Sequence, residues 1–391
     1  MGLFAKSTLN NYFISIILIA VVVLLRFAVG GFNWSYFIVL GDNFATPSIN
    51  PTEIIQQDGP GYDGQFYYGL AKDPFSFEKV KGGVIIDHPP YRHQRILYPL
   101  LAYYISFRGK SILPLIMVII NGISLFLISR IIASFQFIST VKWKFLLPLL
   151  ISGLWMSLSR NLTECLEVLF LILVLQSFLR HKIGYYILFS SAALLTRETT
   201  IIYIGTIAAI WLWRYMSGNS KRKLLCILLL GSPFLVLAVW KYILLQAYPA
   251  SGIVSAGSNI TFPFHGIIMS FLVNLKHIDS TRSLIEFMVW STFLIWQFAL
   301  FFLGIRAMQF NFNTQIIRST LSSLCLIGIG FASLFSISIY IDDWAFLRIL
   351  SGLDVFLFLL ILERKGKLPK WFLMSTAALA LITVVRIILR V

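Results

Sequence analysis

Long apolar runs separated by short basic stretches dominate this chain. Several runs reach the ~20 residues that a helix needs to cross a ~30 Å hydrocarbon core. The pattern predicts eleven helical spans, at 12–30, 111–133, 143–158, 161–180, 183–195, 199–214, 224–244, 284–305, 316–340, 345–362 and 371–390. Two of these, 183–195 and 199–214, are short and flank "LTRETT", with Arg197 and Glu198 at the join. Charges at such a join are expensive in lipid, so the pair must reach a cavity or the interface. The stretch 94–107, "QRILYPLLAYYISF", is also short and lies among Arg92 and Arg95, which predicts an amphipathic helix on the outer membrane surface. Two long loops remain, 31–110 and 245–283, and loops of that length in a compact protein are usually functional. No internal repeat, low-complexity tract or separate soluble domain is visible, so residues 1–391 read as one all-α polytopic membrane domain.

Composition agrees with the pattern. Hydrophobic residues make up 58 % of the chain and charged residues 12 %, against about 25 % charged in a soluble domain. The first run, Tyr12 to Gly30, follows only Lys6 and lacks a small-residue cleavage site, so a retained span is expected and not a removable signal. A net charge of +16 would suit nucleic acid, but the basic residues cluster in short loops. That is the positive-inside pattern, with some attraction for anionic membrane lipids, and no nucleic-acid partner is implied. Placing Lys6, Lys142/Lys144, Arg180/Lys182, Arg214 with Lys221–Lys223, Arg306/Arg318 and Arg364–Lys370 in the cytoplasm gives a consistent walk. The N-terminus is then cytoplasmic, and both long loops and the C-terminus are extracytoplasmic. Of sixteen acids, only Glu363 falls in a cytoplasmic loop. Cys165, Cys226 and Cys325 sit in or beside apolar segments without metal-ligand spacing and read as small buried hydrophobes.

Three groups of residues carry candidate chemistry. The first is "DGPGYDGQFYYGLAKDPF", residues 58–75, in the first outer loop. Gly59, Gly61 and Gly64 let the backbone turn sharply around Asp63. Tyr62, Phe66, Tyr67 and Tyr68 supply rings that anchor at an interface or stack on sugars. The same loop holds Asp42, Asp58, Asp73, Asp87, His88, Arg92, His93 and Arg95. The second group is "RNLTECLEVLF", where Asn161, Glu164 and Glu167 are spaced to share one helix face, with Arg160 and Arg197 as candidate partners. The third is "YIDDWAFLRILSGLDVF", with Asp342 and Asp343 before a helix and Arg348 one turn inside it. Arg348 either snorkels outward or holds a phosphate with its planar fork. Asp354, deeper in that helix, has no evident partner. His88 and His93 with Asp87 offer a metal-like spacing, but Pro89 and Pro90 intervene and break any helix that would align them. No metal or other cofactor is therefore assigned. The sequence also has no phosphate-cradling glycine loop and no nucleophile elbow.

The polar groups thus converge outside, where no nucleotide is at hand. A polyprenyl-phosphate sugar, already activated and held in the bilayer, fits that setting. Asp63 would serve as general base, with its basicity raised by the apolar rings beside it, and Glu164 as the alternative base or a positioning acid. Arg197 and Arg348 would hold the donor phosphate, with Arg92 and Arg95 behind them. His93, Asn161, Glu198, Tyr62 and Tyr67 complete the candidate substrate site. The acceptor is a lipid, a glycan or a protein. Two other classes compete: a flippase or transporter of lipid-linked glycans, which explains the intramembrane charges, and a non-catalytic subunit of a cell-envelope assembly complex.

The motifs bear a resemblance. A short first span, a long outer loop with an early Asp, an interfacial helix and a multi-span bundle are similar to the GT-C superfamily of membrane glycosyltransferases. "YDGQFYY" resembles the aromatic-Asp-x-x-aromatic motif of the glycosylphosphatidylinositol mannosyltransferase 2 type. "GYDGQFYYGLAKDPF", "YRHQRILYPLLAYY", "NLTECLE" and "LLTRETT" look like a bacterial group of GT-C-like proteins, which implies a bacterial plasma membrane. The likeness covers roughly residues 40–200. Many GT-C enzymes pair the loop acid with a second one that serves a divalent metal, whereas Asp63 stands alone in "YDG", which favours a base.

Overall fold

A computed structural model describes residues 2–50, 53–217, 223–249 and 259–389. Lys221 and Arg222, and most of the centre of the 245–283 loop, lie outside the described residues. The fold is almost wholly helical, with two ladders of two-residue strands confined to the first long loop.

Helix α1 (Gly2–Val29) leads into that loop, which contains α2 (Gly64–Lys72), α3 (Pro89–His93) and α4 (Leu97–Ile105). The bundle follows as α5 (Leu113–Ser134), α6 (Ser152–Ser159), α7 (Glu164–Leu179), α8 (Ile183–Thr196), α9 (Ile201–Ser217) and α10 (Lys223–Ala247). After α11 (His265–Lys276) come α12 (Thr281–Ala307) and α13 (Ile316–Ser333). The chain then makes α14 (Ile337–Tyr340), α15 (Asp343–Ile349), α16 (Ser351–Lys365) and α17 (Lys370–Leu389). Five of these, α5, α10, α12, α13 and α17, are long and apolar enough to cross a membrane. The shorter apolar helices Phe13–Val29 and Ile183–Thr196 accompany them. Such helices fit an integral membrane protein, as does the surface of α10, where Leu224, Leu228, Leu235, Val239 and Tyr242 are all exposed.

Helices α7 and α16 form the centre. Every residue from Leu353 to Leu362 is buried, and α7 touches α5, α6, α8, α9 and α16. An apolar surface on all sides is what a helix surrounded by others requires.

Four elements differ from the pattern-based expectation, one being the 345–362 span, which is two helices, α15 and α16, parted at Leu350. The 143–158 stretch is two pieces, a 3-10 helix over Lys144–Leu150 and then α6, parted at Ile151. Pro148 cannot donate a helical hydrogen bond, which favours the break. The 316–340 span stops at Ser333 and resumes as the separate α14. Pro89 and Pro90 begin α3 instead of breaking a helix, because the first turn needs no N–H from them.

The first long loop is a folded cap with its own interior. Phe37, Ile38, Leu40, Leu70, Ala71, Val84 and Ile86 are buried in it, and α2 packs on α4 and α5. Tyr98 of α4 is fully buried and donates to the Met117 carbonyl at 3.1 Å, while Tyr104, Ile105 and nearby Phe107 are exposed. Burial is thus one-sided, but Gln94 and Arg95 are buried and the exposed residues are apolar, so the polar face expected of an amphipathic 94–107 helix is not there. At the opposite end, Arg318 pairs with Glu363 at 2.5 Å and Arg364 donates to the Arg306 carbonyl at 2.6 Å. The basic loops around 306, 318 and 364 therefore gather far from the cap.

Candidate functional site

Asp63 is placed by glycine. It is the residue before α2, in helical backbone conformation, and its side chain does not cap that helix. A side chain at Gly64 would lie 2.0 Å from the Arg160 carbonyl oxygen and 2.9 Å from that of Ile38, so only glycine lets α2 dock here. Gly61 has a φ of +61° and meets the Gly41 nitrogen nearly as closely. The glycine spacing thus seats the start of α2 against the end of α6.

From that seat the carboxylate enters a chain of alternating charges. Asp63 Oδ1 pairs with Arg92 at 3.0 Å, and Oδ2 accepts from Arg348 Nη2 at 2.6 Å. Arg92 also grips Asp87 through two bonds, of 2.9 and 2.7 Å. Arg348 Nη1 donates to Glu164 at 3.0 Å, Glu164 also accepts from Arg197 at 2.5 Å, and Arg197 reaches Glu167 at 3.4 Å. Arg95 forks onto Glu198 at 3.1 and 3.0 Å and donates to Tyr67 and Tyr91 at 3.0 and 2.5 Å.

A cavity of about 550 Å³ opens onto one side of this chain. Asp63, Arg92, Arg95, Arg197, Glu198 and Arg348 line it together with His88, Tyr91 and Thr199. The facing wall includes Phe331, Phe335, Ile339 and Ile349. Four arginines against two carboxylates make its polar wall cationic, because Glu164, Glu167 and Asp87 stand behind the arginines and not in the lining. Concave, half-apolar space with convergent charge is the usual form of a small-molecule site.

Several expected residues take other places. Glu164 is fully buried and meets the cavity only through Arg348 and Arg197. Asn161 is not on α7 with Glu164 and Glu167. It sits in the turn before that helix at φ +51°, buried, with no partner for its side-chain amide among the described residues. Arg160 pairs with neither glutamate, and Arg197 takes that role. His93 points away from the cavity, its Nδ1 2.8 Å from the Tyr248 hydroxyl and its ring near Phe77. Asp42 accepts from the Gly59 N–H, a turn bond, and Asp354 accepts from Gln297 at 2.7 Å. Arg348 does not snorkel. It is only 8 % exposed and bridges two acids.

Two expectations about the rings and the acid are corrected. Phe66, Tyr67 and Tyr68 are at most 3 % exposed, so they do not hold the loop against lipid. They meet cations instead: Arg92 lies 4.4 Å above the Phe66 ring, the Tyr67 hydroxyl accepts from Arg95, and Lys72 lies over Tyr68. Tyr62 is half-buried under Arg348 and Arg160, and burial pushes its hydroxyl up to about 12. Nor is the Asp63 carboxyl made more basic. Burial does push it up, but Arg92 and Arg348, with Arg95 further off, outweigh that and hold it well below the usual carboxylate range.

The residues that pattern-reading missed here are Tyr91, Thr199 and Trp344, whose ring lies 4.3 Å from the Arg160 guanidinium. Only Tyr91 carried a signal, as an aromatic ring next to Arg92. Among the described residues no three His, Cys, Asp or Glu side chains come together as a metal site would require. Comparisons with protein-family models, with curated proteins and with solved structures gave no match.

Proposed function

We propose that this chain is a membrane glycosyltransferase of the GT-C type, moving a sugar from a polyprenyl-phosphate donor to an acceptor at the extracytoplasmic face of a bacterial plasma membrane. Eleven spans with a cytoplasmic N-terminus belong to this reading. The observation that carries it is the meeting of Asp63 and Arg348, 285 residues apart in sequence, on the wall of one cavity. A loop acid beside cationic forks, facing an apolar wall, suits an acceptor hydroxyl, a departing phosphate and a polyprenyl chain in turn.

In this reading Asp63 is stored as a weak base. The donor phosphate competes for Arg92 and Arg348, and as they turn to it the carboxylate regains basicity for the acceptor proton. Arg197 holds the phosphate from the other side. Its Nη1 serves Glu164 and Glu167, and its remaining terminal nitrogen has no partner among the described residues.

The glycolipid profile of cells lacking the protein tests the reading. Accumulated polyprenyl-phosphate sugar on the outer leaflet, cleared by wild type and not by Asp63→Asn, is the expected result. Accumulated precursor confined to the inner leaflet would replace the transferase with a flippase.

A further inference from the structure

Arg160 stands at this end of the molecule without a carboxylate. Arg92, Arg95, Arg197 and Arg348 each hold at least one. Arg160 is 6 % exposed, and among the described residues its side chain has neither an ion pair nor a hydrogen bond. Its guanidinium carbon lies 4.3 Å from the centroid of the Tyr62 ring and 4.3 Å from that of Trp344. Ring faces attract a cation but offer no lone pair, whereas a guanidinium carries five N–H donors in a rigid fork. None of its nitrogens is among the sealed, partnerless polar atoms of the interior, so each keeps some contact with solvent, although Arg160 itself lines neither neighbouring cavity.

The cations around it already have acids: Arg348 holds Asp63 and Glu164, and Arg386 holds Glu286. Arg348 shares the Tyr62 ring at 5.2 Å, and Arg386 covers Trp344 at 4.5 Å. Arg26 is near enough for its charge to oppose that of Arg160. Asp63 and Asp342 both act on Tyr62, yet neither pairs with Arg160. A guanidinium only 6 % exposed and without a carboxylate of its own is costly unless an anion completes it. The clamp also stands at a seam. Tyr62 precedes Asp63 of the first cavity, and Trp344 lines a second cavity of about 500 Å³ with Trp290, Glu286 and Arg386.

We propose that Arg160, clamped by Tyr62 and Trp344, is an oxyanion-binding residue that takes a phosphate group. A planar fork gripped on its faces leaves its edge for two parallel bonds to phosphate oxygens. At a membrane surface the phosphate comes from a lipid headgroup or from a soluble phosphate. The site goes beyond the sugar-transfer reading, because it is separate from Arg92, Arg197 and Arg348 and does not depend on which group is transferred.

The test uses the full chain in a phosphate-free detergent, with decyl phosphate, inorganic phosphate and decanol as probes. Binding is read from tryptophan fluorescence and from the ligand-dependent rise in unfolding temperature. Decyl phosphate should bind and decanol should not. Arg160→Gln should weaken decyl phosphate roughly 10- to 100-fold, the loss of a charge-assisted contact, and Arg160→Lys should fall between the two. Inorganic phosphate binding with the same dependence assigns a soluble source, and decyl phosphate binding alone assigns a lipid. A folded Arg160→Gln protein with wild-type affinity overturns the proposal and leaves a cation–π strut, as does a wild type that binds neither probe. Should Arg160→Gln not fold, wild-type affinity in Arg160→Lys overturns it instead. Turnover plays no part in the readout, so an inactive protein that still binds phosphate through Arg160 would end the transferase reading and leave this site standing.

Discussion

At the scale of single residues, Asp63 has a consequence that its sequence context did not suggest. Its neighbours "YDGQFYY" advertise an acid in an aromatic, glycine-hinged turn, and that much is legible. The two arginines that fix its charge are not, since Arg348 arrives from the far end of the chain. In the proposed reading Asp63→Asn removes the proton acceptor and releases one side of each fork, while Arg92 keeps Asp87 and Arg348 keeps Glu164. Turnover should fall about 10²–10⁴-fold, while affinity for a phosphate-bearing lipid should rise, not fall. A binding isotherm beside an activity assay checks both, and weaker lipid-phosphate binding in this variant would contradict competition for the forks. The pH response separates Asp63 from His93. A carboxylate depressed below the ordinary ~3.9 stabilises the fold at all pH above that value and is lost only as pH falls through its lower folded value. Nothing due to Asp63 should therefore change between pH 7 and 5. His93 is held down to about 3 by burial and by Lys81. The unfolded chain takes a proton near pH 6.5 and the folded chain does not, so stability should decline as pH drops below that point. Thermal unfolding at pH 7, 6 and 5 should show the decline in wild type and a flatter response in His93→Gln.

At the scale of elements, long apolar helices were readable, as was the break at Arg197 and Glu198, but most interruptions inside apolar runs were not. Periodicity shows where a helix is possible, but an end inside an apolar run depends on its neighbours. Ser333 ends α13 without a charge or proline to announce it. The misplacing of Arg160 has the same origin. A helix drawn through 161–180 puts Asn161 in line with Glu164, whereas the left-handed turn at Asn161 separates Arg160 from α7 and leaves Glu167 to Arg197 and Glu164 to Arg197 and Arg348. The glycine motif tells the opposite story, because close approach leaves a mark in sequence. Gly64→Ala puts a methyl against two carbonyl oxygens on backbone that cannot retreat, those of Arg160 and Ile38. It should shift α2, break the Asp63–Arg348 contact and cost on the order of 1–3 kcal/mol, the range of overpacking. Gly184→Ala, which meets nothing within 4 Å, is the matched control and should be nearly neutral. Equal unfolding temperatures for the two variants would mean that α2 is not seated by Gly64.

At the scale of the whole molecule, charge separates the two ends of the bundle. Asp63, Glu164, Glu198 and Glu286 gather at one end with their arginine partners. Arg306, Arg318 and Arg364 gather at the other around the acid Glu363. That division gives the positive-inside rule something to act on: the second end has excess positive charge in short loops, and we predict that it faces the cytoplasm. The prediction is testable with single cysteines. The native Cys165, Cys226 and Cys325 are buried and give little background. Cysteines at Asp58 and at Phe107, both on the cap, the second of them strongly exposed, should react with a membrane-impermeant maleimide in intact cells. A cysteine at Lys365, exposed at the opposite end, should react only after the membrane is opened. Labelling of the Lys365 site in intact cells, with protection at 58, would turn the molecule over. The cavity would then face the cytoplasm, where soluble activated donors are available, and a polyprenyl-phosphate donor would lose its rationale.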